Sequence, residues 1–255
     1  MHGLTKPLLN MEEYKRILNA LDSGVDPLAI NGMGESYKYH IAYSIYEHIK
    51  KPVVFITYND LEAKKAYEDF SYFTNDVCYL PSREVLFYDI AAVSSDIASE
   101  RLKAIKDILD KDDMILVTSV DNIIHKYISP ERIEKYRLKL KVGDTVNLDK
   151  IIHSFIVSGY ERVDMVEGKG QFSIRGGIID FFSLVDEVPC RVELFDDEVD
   201  SIRNFDVLSQ RSTDKIEYAQ VFPAREILAD RATADSACVK IRNEVESALK
   251  KLRDR

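Results

Sequence analysis

Two stretches of this sequence carry residue types that could do chemistry. The first is Asn31-Gly32-Met33-Gly34-Glu35-Ser36, a glycine turn between an apolar run, Pro27-Leu28-Ala29-Ile30, and a helical pattern from about Tyr37 to His48. A short buried strand, a glycine turn and a helix form the setting in which backbone N–H groups cradle phosphates. A working loop of the form GxxxxGK[ST] also needs a lysine for the β and γ phosphates and a hydroxyl for magnesium. Aligned on Gly34, the opening glycine is Ala29 and the lysine is Glu35, while Ser36 keeps the hydroxyl. A carboxylate there would face a triphosphate with like charge, and two unit charges ~4 Å apart at an effective dielectric of about 20 interact by roughly 4 kcal/mol. Lys38 lies elsewhere on the helix and does not replace the missing lysine. The loop reads as an inactive relic, and no nucleotide cofactor is expected.

The second stretch is Gly170-Gln171-Phe172-Ser173-Ile174-Arg175-Gly176-Gly177-Ile178-Ile179-Asp180-Phe181-Phe182, followed by Arg191-Val192-Glu193-Leu194-Phe195-Asp196-Asp197-Glu198. Both runs alternate as half-buried strands do. Phe172 and Ile174 take one face and Ser173 and Arg175 the other; Val192 and Leu194 go inward, leaving Arg191 and Glu193 outward. On one sheet, Arg175, Arg191 and Glu193 would share a rigid exposed face, either merely solvated or used for recognition. Asp196, Asp197, Glu198 and Asp200 lack the spacing and the glycine of a calcium loop and read as a charged hairpin turn. His2, His40, His48, His125 and His153 form no metal or triad spacing. No catalytic residue and no metal site is expected.

The elements that must position these residues follow the chain. Asn10 is placed to cap a first helix and Gly24 to end it. Buried strands are expected at 52–57, 77–80 and 114–120. Asn59-Asp60 should cap a helix over 61–73, and Asp121-Asn122 one through Lys126. Ser82 to Ser95, with Phe87-Tyr88-Asp89, reads as irregular, and Asp96 opens a helix to about Leu109 on which Arg101 is read as pairing structurally. Such alternation indicates a mostly parallel sheet covered by helices. After Ser129-Pro130, residues 131–141 hold five Lys/Arg against two Glu and read as a strand with a basic outer face. Asn147 should cap a helix over 148–157 that Gly159 stops. Residues 218–222 read as a strand returning to the first sheet, and helical spacing resumes from about Ala232.

A chain of 255 residues with 45% hydrophobic content has ample core for one large or two modest domains. Its net charge of −9 argues against a broad non-specific DNA-binding surface. Residues 160–211 hold six Lys/Arg and twelve Asp/Glu, which suits a protein partner met by a few well-placed arginines. Cys78, Cys190 and Cys238 form no CxxC pair, in keeping with buried thiols in a reducing cytosol. No apolar run approaches a membrane span, and Met1-His2-Gly3 opens no signal-peptide pattern.

Gly-x-Phe-x-x-Arg-Gly-Gly-x-Ile-Asp-x-Phe, then Arg-x-Glu-x-Phe-Asp-Asp-Glu, Asp200-Ser201-Ile202-Arg203 and Ser209-Gln210-Arg211-Ser212, resembles the UvrB-homology module of bacterial nucleotide excision repair. It is most similar to the N-terminal region of the transcription-repair coupling factor (Mfd) family; Asp96 to Leu102 resembles it too. UvrB keeps an intact phosphate loop, so Glu35 favours the coupling-factor branch. The resemblance implies a degenerate P-loop NTPase-like (RecA-like) α/β domain, 1–130, into which a smaller UvrA-binding α+β domain, 131–215, is inserted, with 216–255 returning to the first. It implies UvrA as partner, met by Arg175, Arg191 and Glu193, with Arg162 at an upstream arginine. The UvrB pattern has a further arginine where this chain has Ser173. RNA polymerase and DNA would be bound by other regions of a longer parent, an ATP-dependent DNA translocase in the bacterial cytoplasm, and Arg255 without a capping glycine reads as a piece of such a protein. Charge reversal at Arg191 is expected to weaken partner binding without unfolding. The rival expectations are a UvrB-like ATPase or helicase fragment and a DNA-binding module using the 131–141 stripe.

Overall fold

The computed structural model describes residues 3, 5–83, 95–229 and 231–253. Phe87-Tyr88-Asp89 lie outside the described residues. The chain divides into two compact units, residues 1–126 and 127–255.

In the first unit, α1 (Glu12–Asp22) follows a 3-10 turn, Lys6–Asn10, so Asn10 closes that turn and Met11 takes the cap position. Gly24, at φ +71°, ends the helix as its type requires. Residues 27–30 form no strand, and Leu28 and Ala29 are exposed. Their short apolar run finds no neighbouring strand to supply hydrogen bonds, which corrects the strand expected before the glycine turn. After that turn come α2 (Glu35–Ile49), β1 (Val53–Thr57), α3 (Asp60–Ser71), β2 (Val77–Leu80), α4 (Ser95–Asp110), β3 (Ile115–Ser119) and the single turn α5 (Val120–Ile123). The three strands form a parallel sheet in the order β1-β3-β2, with Val53 and Val77 both in register with Ile115.

One face of that sheet packs on α2 and α3. Tyr39, Tyr43, Tyr46, Ala63, Ala66 and Phe70 close over Ile115 and Val117, with Phe55 and Tyr79 beside them. The rings of Phe55 and Phe70 meet edge to face at 5.1 Å. On the other face of edge strand β1, Val54 and Ile56 are 55% and 52% exposed, where a fully buried strand was expected. At the carboxyl ends of the strands, buried Arg101 donates to the Pro81 carbonyl and, at 2.9 Å, to Asn122 Oδ1. Asn122 donates to the Leu80 carbonyl at 2.7 Å, so it ties two strand ends together instead of capping a longer helix. Asn59 does cap α3, accepting from the Glu62 amide at 2.8 Å.

The second unit begins with α6 (Pro130–Tyr136), so only the end of the expected basic strand is one, β4 (Leu138–Lys141). Next come α7 (Leu148–Val157), capped by Asn147, and then β5 (Glu161–Arg162), β6 (Gln171–Arg175), β7 (Ile178–Phe182), β8 (Cys190–Phe195), β9 (Glu198–Phe205) and β10 (Ser212–Ile216). These strands form one six-stranded sheet in the order β10-β9-β8-β7-β6-β5, antiparallel except for β5 beside β6. The next strand, β11 (Tyr218–Val221), pairs antiparallel with β4, Tyr218 opposite Lys141, instead of joining the first sheet as expected. The last element is α8 (Arg231–Arg253), whose Val239, Ile241, Val245, Leu249 and Leu252 are exposed. Among the described residues, no helix is long and apolar enough to cross a membrane.

Helix α7 lays Ile151 and Phe155 on one face of the six-stranded sheet, against Phe172, Ile179, Phe181, Val192 and Ile202. Phe155 stacks on Phe172 at 4.7 Å and meets Tyr160 edge to face at 5.1 Å. Burial pushes the thiols of Cys78 and Cys190 up to about 12, whereas Cys238 is exposed. Phe155→Ala should therefore destabilise the second unit by about 3–5 kcal/mol, read as an earlier denaturant midpoint. A thiol-alkylating reagent at neutral pH should modify only Cys238 in the folded chain and all the cysteines after denaturation, as counted by mass spectrometry.

Candidate partner-binding face

The face of the six-stranded sheet opposite α7 carries the polar residues. Strand register sets them in rows. One row runs Ser173–Asp180–Arg191–Arg203, and the next runs Arg175–Ile178–Glu193–Ser201. Paired residues on neighbouring strands point to the same side, so Arg175, Arg191 and Glu193 share a face, as the alternation implied.

That face is not evenly exposed. Asp180 is fully buried. Arg191 binds it with both arms of its fork, Nε to Oδ1 at 2.7 Å and Nη2 to Oδ2 at 2.9 Å. Arg175 Nη2 reaches the same Oδ2 at 2.7 Å. Arg191 Nη1 donates to the Gln210 carbonyl at 3.2 Å, and its guanidinium lies 4.9 Å over the Phe205 ring. Hydrogen bonding to Asp180 raises its already high pKa further. The Arg191 side chain is only 13% exposed, against 48% for Arg175. Arg191 is thus a half-hidden brace, which corrects the picture of a freely exposed side chain. Reversing its charge would set a second carboxylate against buried Asp180, and breaking a buried pair typically costs about 3–5 kcal/mol, so an undisturbed fold is no longer the expected outcome.

Glu193 is partly buried and accepts from Ser201 Oγ at 2.7 Å. Arg162 stands apart on short edge strand β5, in register with Phe172, whose side chain is in the core; register directs Arg162 to the opposite side from Arg175. At the missing arginine, Ser173 is buried and its Oγ has no hydrogen-bond partner.

The turn that carries Arg175 explains the paired glycines. Gly176 has φ +61°, which a side chain rarely adopts. Gly177 lies against β8 where the β8–β9 register shifts, and the Leu194 amide donates to its carbonyl at 2.7 Å. A Cβ on Gly177 would sit 2.7 Å from the Leu194 carbonyl oxygen. Beyond that shift, Phe195 stands 78% exposed beside the turn at Asp196, which has φ +58°. The acidic cluster is therefore the β8–β9 hairpin turn that its spacing suggested.

Sequence reasoning overlooked Asp180 and Phe195. A carboxylate inside the run Ile178-Ile179-Asp180-Phe181-Phe182 signals buried pairing, and an aromatic residue abutting Asp196-Asp197 signals an exposed apolar side chain.

The glycine turn of the first unit is arranged differently. Gly34 takes the cap position of α2, Glu35 is its first residue, Ser36 is exposed, and Ala29 lies in the irregular segment ahead. Beside the turn is an open recess of about 330 Å³, lined chiefly by apolar side chains such as Tyr14, Ile17, Ile30, Met33 and Ile41. Among the described residues, its lining provides no basic group for a phosphate. Among the described residues, no cluster of His, Cys, Asp and Glu could hold a metal ion.

Gly177→Ala should destabilise the second unit by about 1–3 kcal/mol, because backbone must move to admit the methyl group. Thermal unfolding of the variant against the parent chain checks this.

Residues 138–227 match the family model described as the UvrB interaction domain. The chain is 32% identical to the transcription-repair-coupling factor of Bacillus subtilis, an alignment covering 95% of this chain and 21% of that protein. It is 30% identical to a transcription-repair-coupling factor of Staphylococcus epidermidis, over 88% of this chain and 19% of that protein. It is 26% identical to UvrABC system protein B of Fervidobacterium nodosum, over 95% of this chain and 39% of that protein. The chain thus spans about a fifth of the length of the coupling factors and two fifths of the UvrB protein. Residues 138–227 thus match the UvrB interaction domain, within a chain that is similar to transcription-repair-coupling factors along nearly its whole length.

Proposed function

We propose that this chain is an adaptor module of a transcription-coupled nucleotide excision repair factor, and that it recruits the UvrA subunit to stalled RNA polymerase. The observation that carries this reading is the UvrB interaction domain match over residues 138–227, the segment that includes the Arg175, Arg191 and Glu193 face. The similarity to coupling factors and to UvrABC system protein B over most of the chain supports the repair context. Arg175 is the direct cationic contact, Glu193 the anionic one, Phe195 an exposed apolar anchor, and Arg191 a contributor from behind. Arg162 belongs to this interface only if the partner wraps the β5 edge. An exposed aromatic and a planar cation are residue types that interface hot spots favour.

The module itself hydrolyses no ATP. Glu35 replaces the lysine of a phosphate loop, no strand precedes the glycine turn, and the adjoining recess is apolar. Contacts with RNA polymerase and DNA, and the ATP-driven translocation of a cytoplasmic bacterial parent protein, reside in other parts of that protein. The reading of the 131–141 stripe as a DNA contact is weakened by internal pairing: Arg137 and Lys139 both meet Glu134, at 2.6 and 3.5 Å.

Calorimetric titration of the chain with purified UvrA tests the proposal. Saturable binding is expected, with Arg175→Ala weakening it by about 2–5 kcal/mol, while Arg191 keeps Asp180 paired and the chain stays folded. A folded chain that releases no binding heat and stays unbound in gel filtration with UvrA would rule the adaptor role out. An ATP-induced melting shift that disappears on Gly34→Val would instead favour the ATPase reading.

A further inference from the structure

We propose that Asp180 is the positioning residue of this face: it holds the Arg175 guanidinium so that its remaining N–H groups are offered outward, as a preset fork, to a carboxylate of the protein partner. This rests on the UvrA reading above and deepens it.

The argument begins with the strand order. Asp180 lies on β7, between β6 and β8, and so between the strands that carry Arg175 and Arg191. Its carboxylate is fully buried, and a buried carboxylate needs opposite charge or hydrogen bonds on both oxygens. Arg191 occupies Oδ1 and shares Oδ2 with Arg175. Arg191 is itself fixed by the Gln210 carbonyl and the Phe205 ring, so the Asp180 carboxylate cannot turn. Arg175 is then gripped by one nitrogen only. Its Nε and Nη1 have no protein partner among the described residues, and its side chain is 48% exposed.

Charge and entropy point the same way. Arg175, Arg191 and Arg203 against Asp180 and Glu193 leave this face with one surplus positive charge, within a stretch (residues 160–211) of six cationic and twelve anionic side chains. An anionic group is therefore drawn to this spot and repelled around it. An arginine already held in one rotamer loses less freedom on binding than a loose one, and its planar fork matches a carboxylate with two parallel hydrogen bonds. Ser173, across from Asp180 on β6, is small and leaves both carboxylate oxygens to the arginines.

A double-mutant cycle on UvrA affinity, made in the full 255-residue chain, is the test. Asp180→Asn keeps the shape and removes the charge. The proposal expects it to weaken UvrA binding about tenfold or more in the parent background. In an Arg175→Ala background it should weaken binding far less, because the group that Asp180 offers outward is gone and only its hold on Arg191 is left to lose. Equal losses in both backgrounds would mean a general structural role and overturn the proposal, as would unchanged affinity in the parent background. Should Asp180→Asn fail to fold, Asp180→Asn with Arg191→Gln removes both members of the buried pair and leaves no orphaned charge. That variant, run against Arg191→Gln alone, must show the same dependence on Arg175, and its absence overturns the proposal equally. A parent chain that does not bind UvrA at all fails a different claim, the adaptor reading itself.

Discussion

The second unit is organised around a carboxylate that has no access to water. Asp180 sits on a central strand among Ile179 and Phe181, where an unpaired charge would cost far more than a domain's marginal stability can tolerate. Two arginines, one from the strand on each side, compensate it. That single requirement fixes much else. It sets the register of β6, β7 and β8, because a slip of one residue would send Asp180 into the hydrophobic layer under α7. It holds the 206–211 turn inward, since the remaining nitrogen of Arg191, Nη1, donates to the Gln210 carbonyl. It also decides which arginine stays in water.

The first unit shows a different economy of means. Its parallel sheet is packed on one side by a dense set of tyrosine and phenylalanine rings, while Val54 and Ile56 on edge strand β1 remain open to solvent. At the carboxyl ends of the strands, where open α/β sheets commonly bind ligands, this protein places side chains that satisfy one another. Asp60 accepts from Tyr79 and Ser82, and Arg101 and Asn122 hold the carbonyls that end β2. The unit has the layout of a ligand-binding sheet with its polar ends turned to internal bracing.

Local signals in the sequence were read correctly where the physics is local. Asn59 and Asn147 cap the helices they precede because the bond closes within a few residues. The alternation from Phe172 to Phe182 gives the hairpin and its faces, since period and burial are written into the same residues. What the sequence withheld depends on distant partners. Residues 27–30 look like a strand but have no strand to join. β11 pairs with β4, some 77 positions earlier as counted from Lys141 to Tyr218. An arginine and an aspartate visible in the text do not reveal that one buries the other across a strand pair, and so Arg191 looked exposed and Asp180 went unnoticed.

The pairing of β4 with β11 has a meaning apart from stability. These short strands stand at the two ends of the region that matches the UvrB interaction domain, residues 138–227, and they lie side by side. Everything between them leaves and rejoins the chain at neighbouring points. A segment attached in that way behaves as a cassette: it can be carried from one host protein to another, or lengthened within its loops, while the spacing of its two junctions stays the same.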